Sequence, residues 1–407
     1  MKTILKTPLQ YKKNKLTFDG LNIEVIAKNK KTPFYLYSKK TIKYYFEYFC
    51  KEAKKAKIND PLVCYAVKAN TNSDVLKILK SMGAGADVVS MGEMKKAINA
   101  GISPQKIVFS GVGKTEEEIQ YALNTHKNGI YSFNVESIEE LEMINSIAKK
   151  SKKIARVAFR LNPKVNVKTH KHIATGNKTH KFGILKEDII DVLTIDHLWT
   201  NTVLVGLSIH IGSQLTEMKA TVDAIKELSK LALEINQNLE FLDVGGGLGI
   251  DYTEEDRKKL TSIENYMQIV STALTTHFFS KTEQKPRIVF EPGRILVGKM
   301  GVLVSRVVRT KLSDGRHFTI IDAGMNDLIR PALYEAHHEI YAINNHKNKI
   351  ESDIVGPICE TSDCFGEGRK IPSMSAQDLL VIDNAGAYGH TMASRYNERE
   401  TAKEYLI

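Results

Sequence analysis

A chain of 407 residues, 42% hydrophobic and 26% charged, is long enough for two or three domains and too apolar to be globally disordered. No apolar run approaches the ~18 residues of a membrane-spanning helix, and the basic start, MKTILKTPLQYKKNK, contains no apolar export segment. Four cysteines, Cys50, Cys64, Cys359 and Cys364, lack CxxC or framework spacing, which predicts reduced thiols and a cytoplasmic protein. The net charge of +11 is spread over lysine-rich helical stretches such as 51–57 and 147–153. That is the pattern of solvated helix faces, not of a nucleic-acid surface, although a basic surface also draws in anionic small molecules.

Residues 1–33 have no regular rhythm, and segments 16–18 and 21–25 are expected strands available to a later domain. From 33 to about 290 one unit repeats, a short β-branched run followed by a longer amphipathic stretch. Strands are expected at 62–67, 87–90, 107–110, 130–134, 156–161, 203–210, 241–244 and 287–291. Helical spacing of apolar residues fills gaps at 75–82, 94–100 and 228–235. Thr115-x-x-Glu118 and Ser137-x-x-Glu140 read as capping boxes. Apolar strands alternating with helices predict a parallel sheet covered on its outside, and eight repeats in about 230 residues fit a (β/α)8 TIM-like barrel. Beyond Pro292, segments 301–312, 317–323, 338–344, 349–355 and 378–383 read as strands separated by Gly, Pro and Asp turns. The expected architecture is an α/β barrel over 34–285 and a β-rich C-terminal domain of 286–407 that also takes residues 1–33. The long gap at 163–183 is a candidate functional loop.

In a barrel enzyme, chemistry sits at the C-terminal ends of the strands. There the sequence places Lys68 (YAVKAN), His210 (HIGSQ), Gly245-Gly246-Gly247 (DVGGGLGI) and Glu291 with Arg294 (EPGR). Each has a plain alternative. A lysine after a strand is usually solvated, and a lone histidine is usually structural. Glu291 would be unfavourable to bury unpaired, so a salt bridge to Arg294 is its bland reading. Three glycines let backbone N–H groups approach an anion, but Ile250 stands where the dinucleotide fingerprint needs its third glycine. His170, His172 and His180, and the pair His337-His338 beside Glu339, lack ligand spacing, so no metal is expected. The constellation of lysine, histidine, glycine turn and Glu/Arg pair is more informative than any member.

Together with DVVSMGE (87–93), FNVES (133–137), KFGI (181–184), DAGMNDLIRPALYEA (322–336), GPICETSD (356–363) and GAYG with MASRYN (386–397), these motifs resemble the fold-type III pyridoxal-phosphate decarboxylases, whose fold is that of alanine racemase. The set from 322 to 397 is similar to the diaminopimelate branch. Met91 and Thr361 depart from the usual Gly and Ser, at positions without chemistry.

The resemblance implies pyridoxal 5'-phosphate as cofactor and conversion of meso-2,6-diaminopimelate to L-lysine and CO2, the last step of bacterial lysine synthesis. Lys68 would carry the cofactor, Glu291 would keep its pyridine nitrogen protonated, and His210 would stack on the ring. Ser213, Gly245, Gly246, Gly247 and the EPGR turn through Pro292, Gly293 and Arg294 would hold the cofactor, with Tyr388 contributing its hydroxyl. Arg294, Arg330, Tyr334, Glu360 and Tyr388 would recognise substrate, Arg330 by its distal carboxylate and Glu360 by its distal ammonium. Cys359 would return a proton to the carbanion; alone it reads as a core cysteine, and Arg330 alone as a salt-bridge residue. The family's Cys-Glu loop reaches into the partner subunit, which implies a homodimer with shared sites, and the 163–183 segment resembles its mobile loop. The competing readings are a polyamine-pathway decarboxylase acting on ornithine, arginine or carboxynorspermidine, and a non-catalytic cofactor-binding protein. Arg330 argues against the first, since diamine precursors lack a distal carboxylate. The β domain and the retained Lys68 and Cys359 argue against the second.

Overall fold

The computed structural model describes residues 7–165, 181–345 and 347–407. The chain falls into two compact units, Phe46–Gly249 with Lys259–Gly293, and Met1–Tyr45 with Ile250–Lys258 and Arg294–Ile407.

The first unit is a closed eight-stranded parallel barrel. Its strands are Leu62–Ala66, Gly85–Val88, Ile107–Phe109, Ser132–Val135, Ala155–Arg160, Thr202–Ser208, Phe241–Asp243 and Arg287–Phe290, and neighbours pair in chain order. Apolar runs such as LVCYA are buried on both faces, as a parallel barrel requires. Leu62, Cys64, Val108, Ala158, Val205, Phe241 and Val289 form one core cluster. Gly206 makes room for Phe241, because a Cβ there would lie 2.6 Å from its ring.

Side-chain caps start the intervening helices: Asn72 caps Ser73–Ser81 and Ser90 caps Met91–Asn99. The capping box at Thr115 and Glu118 is complete. At Ser137 only half of it forms, since Ser137 accepts from the Glu140 N–H while the Glu140 carboxylate turns to Lys114 Nζ, 2.7 Å away. The second Glu140 oxygen reaches one residue past the cap to the Glu136 N–H, 3.3 Å away, so the carboxylate is shared between that N–H and a buried ammonium.

The second unit is a mixed sheet in the order Ile340–Ala342, Leu379–Ile382, Gly301–Ser313, Arg316–Ile321, Lys349–Val355, Cys364–Pro372. The first half of the long strand Gly301–Ser313 is buried and also pairs with Phe34–Tyr37, which in turn pairs with Lys403–Leu406. Phe34–Tyr37 therefore belongs to this sheet and Arg287–Phe290 to the barrel, which differs from a division at 34 and 285. Strands Leu9–Lys12, Lys15–Phe18 and Leu21–Asn22 make a small sheet of their own. It packs through Leu16 and Phe18 on Val302, Val304, Ile343 and Val381.

The expected strand at 21–25 stops at Asn22, whose side chain accepts the Glu24 N–H and starts the helix Ile23–Ala27. Strands Cys364–Pro372 and Lys403–Leu406 escape the sequence pattern, the first because an edge strand carries glycine and charge where a central one carries apolar residues. Among the described residues no helix is long and apolar enough to cross a membrane.

Candidate active site

The C-terminal rim of the barrel gathers the expected groups of that unit. Strand Leu62–Ala66 ends two residues before Lys68, which sits in the single 3-10 turn Val67–Ala69. Its Nζ lies 2.7 Å from Oδ2 of Asp87, a buried carboxylate from the next strand. Glu291 follows strand Arg287–Phe290, and its Oε1 accepts from Ser110 Oγ at 3.4 Å and Asn134 Nδ2 at 3.3 Å. Asp243, whose charge raises the Glu291 pKa, is fully buried and accepts the Gly245 N–H at 2.8 Å. Burial, reinforced by Asp243 and Asp87 against the pull of Lys68, raises the Glu291 pKa well above the usual carboxylate range. Burial likewise lifts Asp243 to about 6.

His210 lies two residues beyond strand Thr202–Ser208, with Nδ1 3.8 Å from Glu291 Oε2. That separation would suit an ion pair with an imidazolium. Burial, then Arg160 and Lys68, hold the histidine pKa well below its ordinary value, so the ring is neutral and its Nδ1 accepts the Gly246 N–H at 3.3 Å.

The glycine turn is packed too closely for any side chain. A Cβ at Gly245 would lie 2.3 Å from Ile209 O, at Gly246 2.0 Å from Glu291 O, and at Gly247 2.3 Å from Gly212 O. Gly245 and Gly247 also have φ of 71° and 97°. Leu215 N donates to Gly247 O at 2.9 Å, so the loop carrying Ser213 runs beside the turn. Pro292 O accepts from Ala66 N at 3.1 Å, tying the EPGR turn to the lysine strand.

Three buried carboxyl groups thus lie together, and among the described residues Asp87 Oδ1 and Asp243 Oδ2 have no hydrogen-bond partner. The surplus acidity fits a cationic ring nitrogen, so the donor set suits a protonated pyridine. A sequence reading fixed on Lys68, His210 and Glu291 misses Asp87 and Asp243. The signal is there, since each is a lone acid inside an apolar strand, GADV and FLD.

In the second unit, Arg294, Arg330 and Tyr388 meet around a residue that sequence reasoning passes over, Tyr252. Arg294 Nη1 donates to the Tyr252 hydroxyl at 2.7 Å, and its guanidinium lies 4.7 Å from the Tyr388 ring centre. The Arg330 guanidinium lies 4.7 Å from the Tyr252 ring centre, and its Nη1 bonds His338 Nε2 at 2.8 Å. Burial and Arg330 keep His338 neutral. Burial pushes the Tyr252 phenol up, but Arg294 and Arg330 outweigh it and the net shift is downward. Tyr334 ends the short helix Arg330–Tyr334. Among the described residues no carboxylate lies within ion-pair distance of Arg330, which sets aside its structural salt-bridge reading.

Cys359 and Glu360 lie on a separate, exposed stretch of the same unit, so Cys359 is not a core cysteine. Of the long loop expected at 163–183, residues 166–180, with His170, His172 and His180, fall outside the described residues. Within the described residues no group of His, Cys, Asp and Glu has metal-holding geometry.

Residues 46–298 match the family model for the pyridoxal-binding domain of pyridoxal-dependent decarboxylases. The chain is 40% identical to a diaminopimelate decarboxylase of Zymomonas mobilis over 98% of its own length and 93% of the relative's. The chain belongs to the diaminopimelate decarboxylase family. Among solved structures it resembles the diaminopimelate decarboxylase of M. jannaschii in complex with L-lysine, with 35% identity, a TM-score of 0.90 and coverage of 98% and 92% of the two chains. The Helicobacter pylori diaminopimelate decarboxylase, also complexed with L-lysine, gives 37% identity, a TM-score of 0.87 and coverage of 95% and 94%.

Proposed function

We propose that this member of the family decarboxylates meso-2,6-diaminopimelate to L-lysine and CO2 with pyridoxal 5'-phosphate. The observation that carries the substrate is Arg330, a buried guanidinium that bonds a neutral His338 and lies against the Tyr252 ring. A buried cation so placed keeps its charge for a ligand carboxylate, and ornithine has no distal carboxylate to offer.

Bound pyridoxal phosphate supplies an electron sink for the pair left behind when CO2 departs. The chain supplies the rest. Lys68 holds the cofactor through its amine, and Asp87 at 2.7 Å steers that amine. Glu291 holds the proton at the ring nitrogen, and the Asp87–Asp243–Glu291 cluster favours the cationic ring. His210, being neutral, would stack on the ring without repelling that charge. Ser213 and the glycine turn Gly245, Gly246, Gly247, with backbone N–H groups near Gly293 after Pro292 has turned the chain, would take the phosphate, and Arg294 and Tyr388 would also bind the cofactor. Arg330, Tyr334 and Glu360 read the distal amino-acid head of the substrate. The Cys359 thiol delivers a proton to the α-carbon.

The active unit is a homodimer in which Cys359 and Glu360 serve the partner's Lys68 site. Their exposure on one loop supports this. The four free thiols fit a reducing cytoplasm.

Lysine release from meso-diaminopimelate, with ornithine and arginine run alongside, tests the reaction. Lysine from diaminopimelate alone is expected, and turnover of ornithine or arginine instead would overturn the roles of Arg330 and Glu360. Mixing inactive Lys68→Ala and Cys359→Ala chains should restore part of the activity through hybrid dimers. No recovery despite demonstrated subunit exchange would refute the shared site.

A further inference from the structure

The loop that carries Cys359 and Glu360 is held from within its own chain. Its base is a buried acid, Asp363, whose two carboxylate oxygens accept the N–H groups of Ile358 and Met325 at 2.6 Å each. Gly356 N also donates to Asp363 O at 3.0 Å, so the segment closes on itself. The tip is held by a different element. Asn397 accepts the Cys359 N–H at 3.1 Å through Oδ1, and the Tyr396 hydroxyl donates to Glu360 Oε1 at 2.5 Å. Asn397 and Glu398 both adopt left-handed backbone, with φ of 56° and 54°. Two successive non-glycine residues in that region are unfavourable unless the surroundings hold them there.

We propose that Tyr396 and Asn397 are positioning residues, which fix Glu360 and Cys359 so that the carboxylate and thiol are presented ready-oriented to the distal ammonium and the α-carbon of an amino-acid substrate. This rests on the substrate reading given above. The choice of a phenol has a chemical reason. An arginine or lysine bonded to Glu360 would neutralise the charge that must attract an ammonium. A phenol O–H occupies one carboxylate oxygen, leaves the negative charge intact and leaves Oε2 for the ligand. An exposed glutamate otherwise loses several rotamers when it binds, and the tyrosine removes that loss beforehand.

A double-mutant cycle tests the pairing through steady-state kinetics with meso-diaminopimelate, comparing Tyr396→Phe, Glu360→Gln and the combination. The expected result is a KM raised roughly 3- to 10-fold by Tyr396→Phe with kcat nearly unchanged, since one rotamer-rich side chain must now be ordered on binding. The further KM effect of Tyr396→Phe should vanish in the Glu360→Gln background, because the tyrosine acts only through the glutamate. A merely structural role would lower kcat and Tm and persist in both backgrounds, and would overturn the proposal. So would a Tyr396→Phe chain with unaltered KM beside a damaged Glu360→Gln chain. If Glu360→Gln itself leaves KM unchanged, the substrate role of Glu360 fails and this inference fails with it. Asn397→Ala supplies a separate measurement, the rate at which Cys359 reacts with a thiol reagent. An unchanged rate would remove Asn397 from the assignment.

Discussion

At the barrel rim three buried carboxyl groups, Asp87, Asp243 and Glu291, lie together, whereas in the β-rich unit the buried guanidinium of Arg330 lies against the Tyr252 ring and a neutral histidine. One region holds surplus acid and the other surplus base. Burying unbalanced charge opposes folding by several kcal/mol per ion unless something pairs with it. Each region is therefore informative about the ligand it suits: a cation at the rim, and a carboxylate at Arg330. The regions also answer burial differently. The carboxyls hold on to protons, with Asp243 raised to about 6. Guanidinium groups cannot give up theirs, so Arg330 is accommodated by π faces and neutral acceptors instead.

The largest expected effect lies at the acidic region. Glu291→Gln keeps the hydrogen bonds from Ser110 and Asn134 but removes the group proposed to hold the ring proton. Turnover should fall roughly 10²- to 10⁴-fold, the usual scale for losing a positioned proton partner, with little change in KM. Steady-state kinetics of cofactor-saturated enzyme reads this directly. A loss under about tenfold would mean that the acidity of the region serves folding or cofactor affinity and not the chemical step.

The two regions also differ in how far the amino-acid sequence alone makes them legible. The eight barrel strands follow from apolar runs that alternate with helical spacing, and once they are placed, barrel geometry carries Lys68, His210 and Glu291 to one rim. Asp87 and Asp243 are legible only as oddities, polar residues inside buried strands. Tyr252 and His338 give less warning, because an aromatic or a histidine near a turn is ordinary in sequence and becomes notable only when buried guanidinium groups pack on it. The half-formed cap at Ser137 fails for a similar reason, since the lysine that claims Glu140 comes from a different repeat, 26 residues away in the chain. Local pattern reports local bonds, and the rest is tertiary.

A smaller effect, of opposite sign for activity and stability, is expected at the basic region. Arg330→Met removes a charge-assisted hydrogen-bonding partner for a substrate carboxylate, worth about 1.5–3 kcal/mol, so kcat/KM should fall roughly 10- to 100-fold, mostly through KM. The same substitution relieves a buried cation that has no carboxylate partner among the described residues. It orphans His338 Nε2, at about 1–3 kcal/mol, but the relief from burying one unpaired ion is several kcal/mol. Thermal melting should therefore show an unchanged or higher Tm. A lower Tm would show that Arg330 stabilises the fold, and the contrast between the regions would weaken to one of packing.

The smallest effect separates the proton-holding pair from the rest of the rim. Asp243 and Glu291 bind a proton more tightly folded than unfolded, because burial raises both. Through this window the unfolded chain binds fewer protons, so stability falls as pH rises. The contribution is complete below the unfolded carboxylate value of about 4 and is lost as pH passes the folded value, about 6 for Asp243. Asp243→Asn keeps the acceptor for the Gly245 N–H while removing the titrating group. Cofactor-free protein carrying it should lose less Tm between pH 5 and 7 than the parent chain, by up to about 1.4 kcal/mol per pH unit in stability. Saturation with pyridoxal phosphate should flatten the parent's slope as well, because the ring nitrogen then supplies the cation that the pair otherwise replaces with a proton. Parallel slopes for the two cofactor-free chains would place the retained proton elsewhere, and the acidic region would then balance its charge by hydrogen bonds alone.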